Sequence, residues 1–211
     1  MSSIVGLGTL SNSDFKNIVK KFECSADPKL FEYLKNNALG HHKQGLFQTY
    51  LFQDSEDYKG YISLASAQIA VDDIELRKIL GISDGLPYPI PALKITRLCI
   101  SDPFKGKAIG SLLAMFAEIV AYEQQSKIGC RAVLVDAKEK AVGFYASLGF
   151  SVLGDIEDNI CLMFKDIESL RSKDVDRKPE QKEMVKEFID FCRVFDLPQF
   201  SKTFEKILLK K

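Results

Sequence analysis

The chain has no tryptophan, only two histidines, and five cysteines without a single CxxC spacing. With so few soft ligands, none of them clustered with carboxylates at ligand spacing, no metal site is expected. The cysteine count is odd, and Cys24, Cys99, Cys130, Cys161 and Cys192 each lie in or beside an apolar run. They read as reduced core thiols and not as a disulfide framework. No window approaches the roughly 18 apolar residues of a membrane span, and MSSIVGLGTLSNSDF has no basic residue ahead of its short apolar run, so the cytoplasm is the expected location. An excess of either charge is also missing, since 29 basic residues balance 29 acidic ones. That removes any global reason to bind nucleic acid or membrane and leaves only a local basic patch to do so.

What is present describes a folded protein. A hydrophobic fraction of 46% beside 27% charged residues in 211 argues against disorder. The length suits one well-buried domain with an appendage, or two small domains, and the first is expected. Ile4 to Leu10 reads as a short strand and SNSD after it as a helix cap. From Pro28, Leu30, Phe31, Leu34 and Ala38 recur at helical spacing, with Gly40 and Gly45 as stops. LFQTYLFQ and YKGYISLASAQI, parted by the acidic DSED, suit an antiparallel hairpin. Ala70 to Pro91 reads as a variable excursion before the strand ALKITRLCI. A helix is expected from Lys107 to about Glu123, a buried strand at CRAVLVDA, a helix through KEKAVGFYASLGF closed by Gly149, and a final strand pair around DIED.

From Glu168 the texture changes to a charged linker and then two amphipathic stretches. Met184, Phe188, Phe191 and Phe195 mark the first and Phe204, Ile207 and Leu208 the second, with Pro198 breaking a straight continuation. The expected division is therefore an α/β (α+β) domain over residues 1–167 and a C-terminal helical extension over 168–211. The extension is suited to docking on the domain, homodimerisation or binding a protein partner.

The stretch DPFKGKAIGSLL asks for an anion. It tips two lysines and two glycines onto the start of a helix, where unpaired backbone N–H groups and the positive dipole end favour a phosphate. An ordinary strand-to-helix turn with surface lysines would read the same way in isolation. The order of ITRLCIS, FKGKAIGSLLAMFAE, AVLVDA and AVGFYASLGF decides the matter, because this combination resembles the GNAT superfamily of acetyl-CoA-dependent N-acetyltransferases. The similarity is clearest from Ala92 to Phe164. FEC, LFEYLKNNA and TYLFQD add a likeness to the branch holding the acetyltransferase toxins of toxin–antitoxin modules.

The resemblance implies a mixed, mainly antiparallel twisted sheet flanked by helices, with acetyl-CoA as cosubstrate. The loop residues Lys105, Gly106, Lys107, Ala108, Ile109, Gly110 and Ser111 would hold its pyrophosphate, with lysine and Ala108 departing from the usual Arg/Gln-x-x-Gly-x-Gly/Ala pattern. Leu98, Cys99 and Ile100 would offer their strand edge to the pantetheine arm, a form of β-augmentation. Cys99 itself reads as a small groove or core residue, since no nearby base activates it. Tyr145 would supply the proton or strong hydrogen bond that helps the thiolate depart. Lys138 stands where many relatives carry an asparagine, and that role is not carried over. His41 and His42 read as solvated, and no general base is assigned.

The expected function is direct acetyl transfer to a primary amine of a small molecule, a protein or an aminoacyl-tRNA. The last rests on the toxin likeness and would need a basic face, for which Lys43, Arg77, Lys78, Lys94, Arg97 and Arg131 are candidates. A noncatalytic acyl-CoA-binding module is the competing class, motivated by Ala108 and Lys138.

Overall fold

The computed structural model describes residues 2–54, 57–70, 74–82 and 88–170. The two C-terminal amphipathic stretches, Cys192 and the centre of DSED lie outside the described residues. Seven strands form one sheet: β1 (Ser2–Gly6), β2 (Gln48–Asp54), β3 (Asp57–Ile69), β4 (Ile90–Ile100), β5 (Ala132–Lys138), β6 (Ser151–Glu157) and β7 (Ile160–Asp166). Their order across the sheet is β1-β2-β3-β4-β5-β7-β6. Every neighbouring pair is antiparallel except β4 and β5. A parallel pair needs a long crossover, and α5 (Ile109–Gln125) supplies it.

Alternation along the strands feeds two cores. Ile62 of β3 packs with α5 residues Leu113, Phe116 and Ile119 on one face of the sheet. Its neighbour Tyr61 joins Phe15, Ile18 and Phe22 from the segment after β1, and Tyr33 and Leu34 further along the chain, on the other. Successive strand side chains point to opposite faces, so one strand serves both cores. Ten of the seventeen α5 residues are buried, and each large apolar side chain removed from water contributes about 1.5–3 kcal/mol.

The helices arise from local signals. The hydroxyl of Ser11 accepts the Asp14 N–H at the start of α1 (Asn12–Lys21), as an N-cap should. α2 (Pro28–Tyr33) runs through a π-helical turn at Leu34–Ala38 into α3 (Leu39–Lys43). Gly40 lies inside α3, so only Gly45, at φ +72°, acts as the stop. The excursion after β3 carries a short helix, α4 (Ile74–Ile79), and β4 begins at Ile90 instead of Ala92. The DIED turn is shifted towards the C-terminus: residues 155–157 continue β6, and its last residue, Asp158, makes the reversal with Asn159, at φ +50° and +61°, the conformation that tight hairpins demand.

Two backbone features fix the helix ends nearest the site. α6 (Glu139–Ser147) closes with the Phe150 N–H bonding the Tyr145 carbonyl at 3.1 Å and the Gly149 N–H bonding that of Ala146 at 3.0 Å. This Schellman pair, with Gly149 at φ +85°, fixes Tyr145 on the last turn. Ala108, just before α5, adopts φ +56°, a left-handed conformation that a Cβ disfavours.

Two substitutions test these constraints. A Cβ on Gly60 of β3 would sit 2.7 Å from Ile100 Cδ1 and 3.1 Å from the Cys99 carbonyl, so Gly60→Ala should lower stability by about 1–3 kcal/mol in denaturant titration. Ala108→Gly relieves the left-handed strain and should raise stability by about 0.5–1 kcal/mol in the same assay.

Candidate active site

The site begins where two strands part. β4 and β5 pair in register from Ala92 with Ala132 to Ile95 with Val135, and no further. At that point β4 bulges: Ser63 of β3 faces Arg97, Leu64 faces Ile95, and Thr96 has no partner across the ladder. The Thr96 hydroxyl donates to the Ser63 carbonyl at 3.0 Å. A bulge bends its strand, and it also exchanges the faces. Leu93 and Ile95 join the α5 core before it, while Leu98 and Ile100 join that core after it, and Cys99 turns to the opposite core. Beyond Ile95, β4 keeps β3 on one side and presents an unpaired backbone edge to the cleft on the other.

Two adjoining cavities occupy this cleft. One of 540 Å³ runs along Leu98 and Ile100 to Gly106, Gly110 and Ser111 at the start of α5. The other, of 260 Å³, also touches Leu98, Ile100 and Lys105 and continues past Cys99 and Arg97 to Tyr145. All the residues expected from the sequence to hold a cofactor or carry chemistry, except Lys107, line one or both cavities. The Lys107 ammonium lies instead 5.3 Å over the ring of Phe104, itself a wall of the larger cavity.

The start of α5 borders the larger cavity. The first helical bond is that of the Leu112 N–H to the Ala108 carbonyl, 3.1 Å, which leaves the amides of Ile109, Gly110 and Ser111 without a helical acceptor. A Cβ at Gly106 would meet nothing within 4 Å, whereas one at Gly110 would stand 3.3 Å from Phe144 Cζ. Glycine at 110 therefore answers the approach of α6, and glycine at 106 answers its φ of +74°. Lys105 differs from the expectation of a cation directed at phosphate, because its ammonium pairs with Asp102. That bond, with a second from Ser25, holds the Asp102 carboxyl down to a pKa of about 2.

Tyr145 is 5% exposed and packed edge-on to Phe144 and Phe150. It is both core and cavity wall, and burial pushes its phenol well above the ordinary value, because desolvation disfavours the charged form. Cys99 is likewise raised, first by burial and then by its bond to Cys24, which matches its reading as an unactivated thiol. His42 is not simply solvated: the N–H groups of Gly8 and Thr49 point at its two ring nitrogens, at 3.0 and 3.1 Å. Burial lowers its pKa. His41 makes tilted ring contacts with Tyr33 and Phe47.

Sequence reasoning missed the segment that spans the cleft. The Glu23 N–H bonds Ser101 Oγ at 3.2 Å, the Asp102 N–H bonds the Glu23 carbonyl at 2.9 Å, and the Ser25 N–H bonds Asp102 Oδ2 at 2.7 Å. On the far side Lys138 pairs with Asp27 and Lys140 bonds the Ala26 carbonyl at 3.1 Å. Lys138 thus ties a strap between the parted strands. The expected basic face is also reduced: Lys94 pairs with Asp136, Arg131 with Asp166, and Arg97 lies 3.5 Å over the Tyr33 ring. Among the described residues no cluster of His, Cys, Asp and Glu could hold a metal, and no helix is long and apolar enough to cross a membrane.

Comparison with known proteins agrees with this geometry. The sequence profile of the family described as "Acetyltransferase (GNAT) domain" matches residues 27–163. A tRNA-acetylating toxin of Mycobacterium tuberculosis (strain ATCC 25618 / H37Rv) is 29% identical over 147 residues, covering 69% of this chain and 86% of the toxin. Among solved structures, AtaT complexed with acetyl-methionyl-tRNAfMet superposes with a TM-score of 0.66 at 23% identity, over 81% of this chain and 97% of that one. AtaTR bound with AcCoA gives 0.63 at 24% identity, over 80% and 95%. The cleft between β4 and β5, the α5 amide cradle and the profile match together place this chain in the GNAT acetyltransferase family.

Proposed function

We propose that this enzyme transfers the acetyl group of acetyl-CoA directly to the amino group of an aminoacyl-tRNA, with Tyr145 as the general acid. The observation that carries the chemistry is the position of Tyr145: a buried phenol on the wall of the cavity that opens where β4 leaves β5. The acceptor class rests on the likeness to the tRNA-acetylating toxin.

The chain's own groups fit the cosubstrate. The amides of Ile109, Gly110 and Ser111 face the 540 Å³ cavity and suit a diphosphate, with the helix dipole adding up to about 2 kcal/mol where partly buried. The exposed edge of Leu98, Cys99 and Ile100 can pair with the amides of an extended pantetheine arm, as an added strand would. That leads the thioester toward Tyr145.

The unprotonated amine attacks the thioester carbonyl, the C–S bond breaks, and the departing thiolate takes the Tyr145 proton. The proton lost by the amine leaves through water, and solvent returns one to the phenol. Burial suits Tyr145 to this role, since a raised pKa keeps it protonated through the range in which an amine of pKa about 8 becomes nucleophilic. Arg97, placed over the Tyr33 ring beside the same cavity, adds a cation on the acceptor side for a phosphate-bearing substrate.

With acetyl-CoA and charged tRNA, nuclease digestion and mass spectrometry should show acetylated aminoacyl-adenosine, and binding should weaken by roughly 10- to 100-fold between 50 and 200 mM salt; equal or faster acetylation of peptides or polyamines would refute the acceptor. Tyr145→Phe should cut kcat by about 10²–10⁴-fold while leaving the acetyl-CoA dissociation constant within about twofold by calorimetry. Because the phenol pKa is raised, the wild-type rate should climb to a plateau above about pH 8 and hold it past about pH 10, where an unperturbed tyrosine would ionise. A decline before that point with intact fold would remove Tyr145 as the proton donor.

A further inference from the structure

The proposed chemistry leaves two nucleophilic side chains unused in its own cavity. Cys99 Sγ lies 2.8 Å from Cys24 Sγ, although 75 residues separate them in sequence. Both line the 260 Å³ cavity. Unbonded sulfurs rarely approach so closely, and a disulfide bond of about 2.0 Å needs only a further shift of less than about 1 Å. The remaining described cysteines, Cys130 and Cys161, are buried elsewhere, and all four are free thiols.

The two partners differ in access. Cys99 is 4% exposed and belongs to the core with Phe22 and Tyr61. Cys24 is half-buried and sits in the strap. Lys105 and Asp102 are the charged groups that act on Cys99 from the loop after β4, with opposite signs. Among the described residues the strap is held by reversible contacts: hydrogen bonds to Ser101 and Asp102 on the β4 side, and Lys138 and Lys140 on the β5 and α6 side. A bond between the sulfurs would add a covalent attachment to β4 beside them.

We propose that Cys24 and Cys99 form an oxidative modification site, at which a hydroperoxide converts the thiol pair to a disulfide that pins residues 23–27 across the cleft and slows acetyl transfer. The Cys24 thiolate attacks the peroxide oxygen, the O–O bond breaks, and a sulfenic acid and hydroxide form. Cys99 then attacks that sulfur, gives up its proton and expels the sulfenic oxygen as water. The net change is two thiols and one hydrogen peroxide to one disulfide and two waters, with two electrons passing from sulfur to oxygen. Excess small-molecule thiol reverses it by exchange. The effect on rate rests on the transferase reading above, whereas the bond itself does not.

The test uses the full chain treated with hydrogen peroxide, alkylated, digested and analysed by mass spectrometry. The expected product is a Cys24–Cys99 linked peptide pair, with amide hydrogen exchange across residues 23–27 slowed at least tenfold and acetyl transfer to charged tRNA lowered at least fivefold. Dithiothreitol should restore all three. Cys24→Ser should keep its own untreated rate and exchange after peroxide, and it avoids disturbing the core as Cys99→Ser would. Linkage of other cysteines in place of this pair, an unlinked pair at full peroxide consumption, or a formed link with unchanged exchange and rate would each overturn the proposal. If charged tRNA is not the acceptor, neither form transfers acetyl to it, and linkage and exchange still decide.

Discussion

The structure depends on a limit to strand pairing. β4 and β5 are the only parallel neighbours among the described strands, they share four paired positions, and then they diverge. Backbone hydrogen-bonding groups left unpaired in a folded interior are costly, so a cleft whose wall is an open strand edge invites another chain of amides to complete it. The bulge at Thr96 makes the divergence possible without disrupting β3, which continues to pair with β4 as far as Ile100. The α5 amides border one of the two adjoining cavities and Tyr145 the other, so a cosubstrate bound along the open edge as proposed would be aimed by geometry alone.

Charge in this site is mostly paired internally. Lys105 is bound to Asp102, Lys138 to Asp27 and Lys94 to Asp136. In the function proposed above, anion recognition at α5 would therefore fall chiefly to backbone dipoles, which are fixed by the fold and need no side chain to be ordered on binding. The neutral total charge of the chain fits an arrangement in which cations hold the strap and sheet together.

Much of this was legible in the sequence because it is local. The α5 loop, the closing glycine of α6 and the residues of the cradle sit within short windows whose periodicity and turn chemistry can be read directly, and the order of motifs carried the resemblance. What was not legible is long-range. Lys138 meets Asp27 across 111 positions and Cys99 meets Cys24 across 75, and no spacing rule connects them. The DIED stretch misled in part because three of its four residues extend β6, and only Asp158, with Asn159, takes the left-handed conformation of the reversal. The basic face was overcounted because a sequence shows cations without their partners.

The extra residue at Thr96 works as a phase shifter. Ahead of it odd-numbered side chains face α5, and after it even-numbered ones do. A one-residue deletion there would turn the end of β4 by half a repeat, sending a guanidinium and a thiol toward the α5 side of the sheet and two aliphatic groups toward the opposite side. The polarity of both chambers is thus written in the length of one strand, and no choice of side chains downstream could compensate for a miscount.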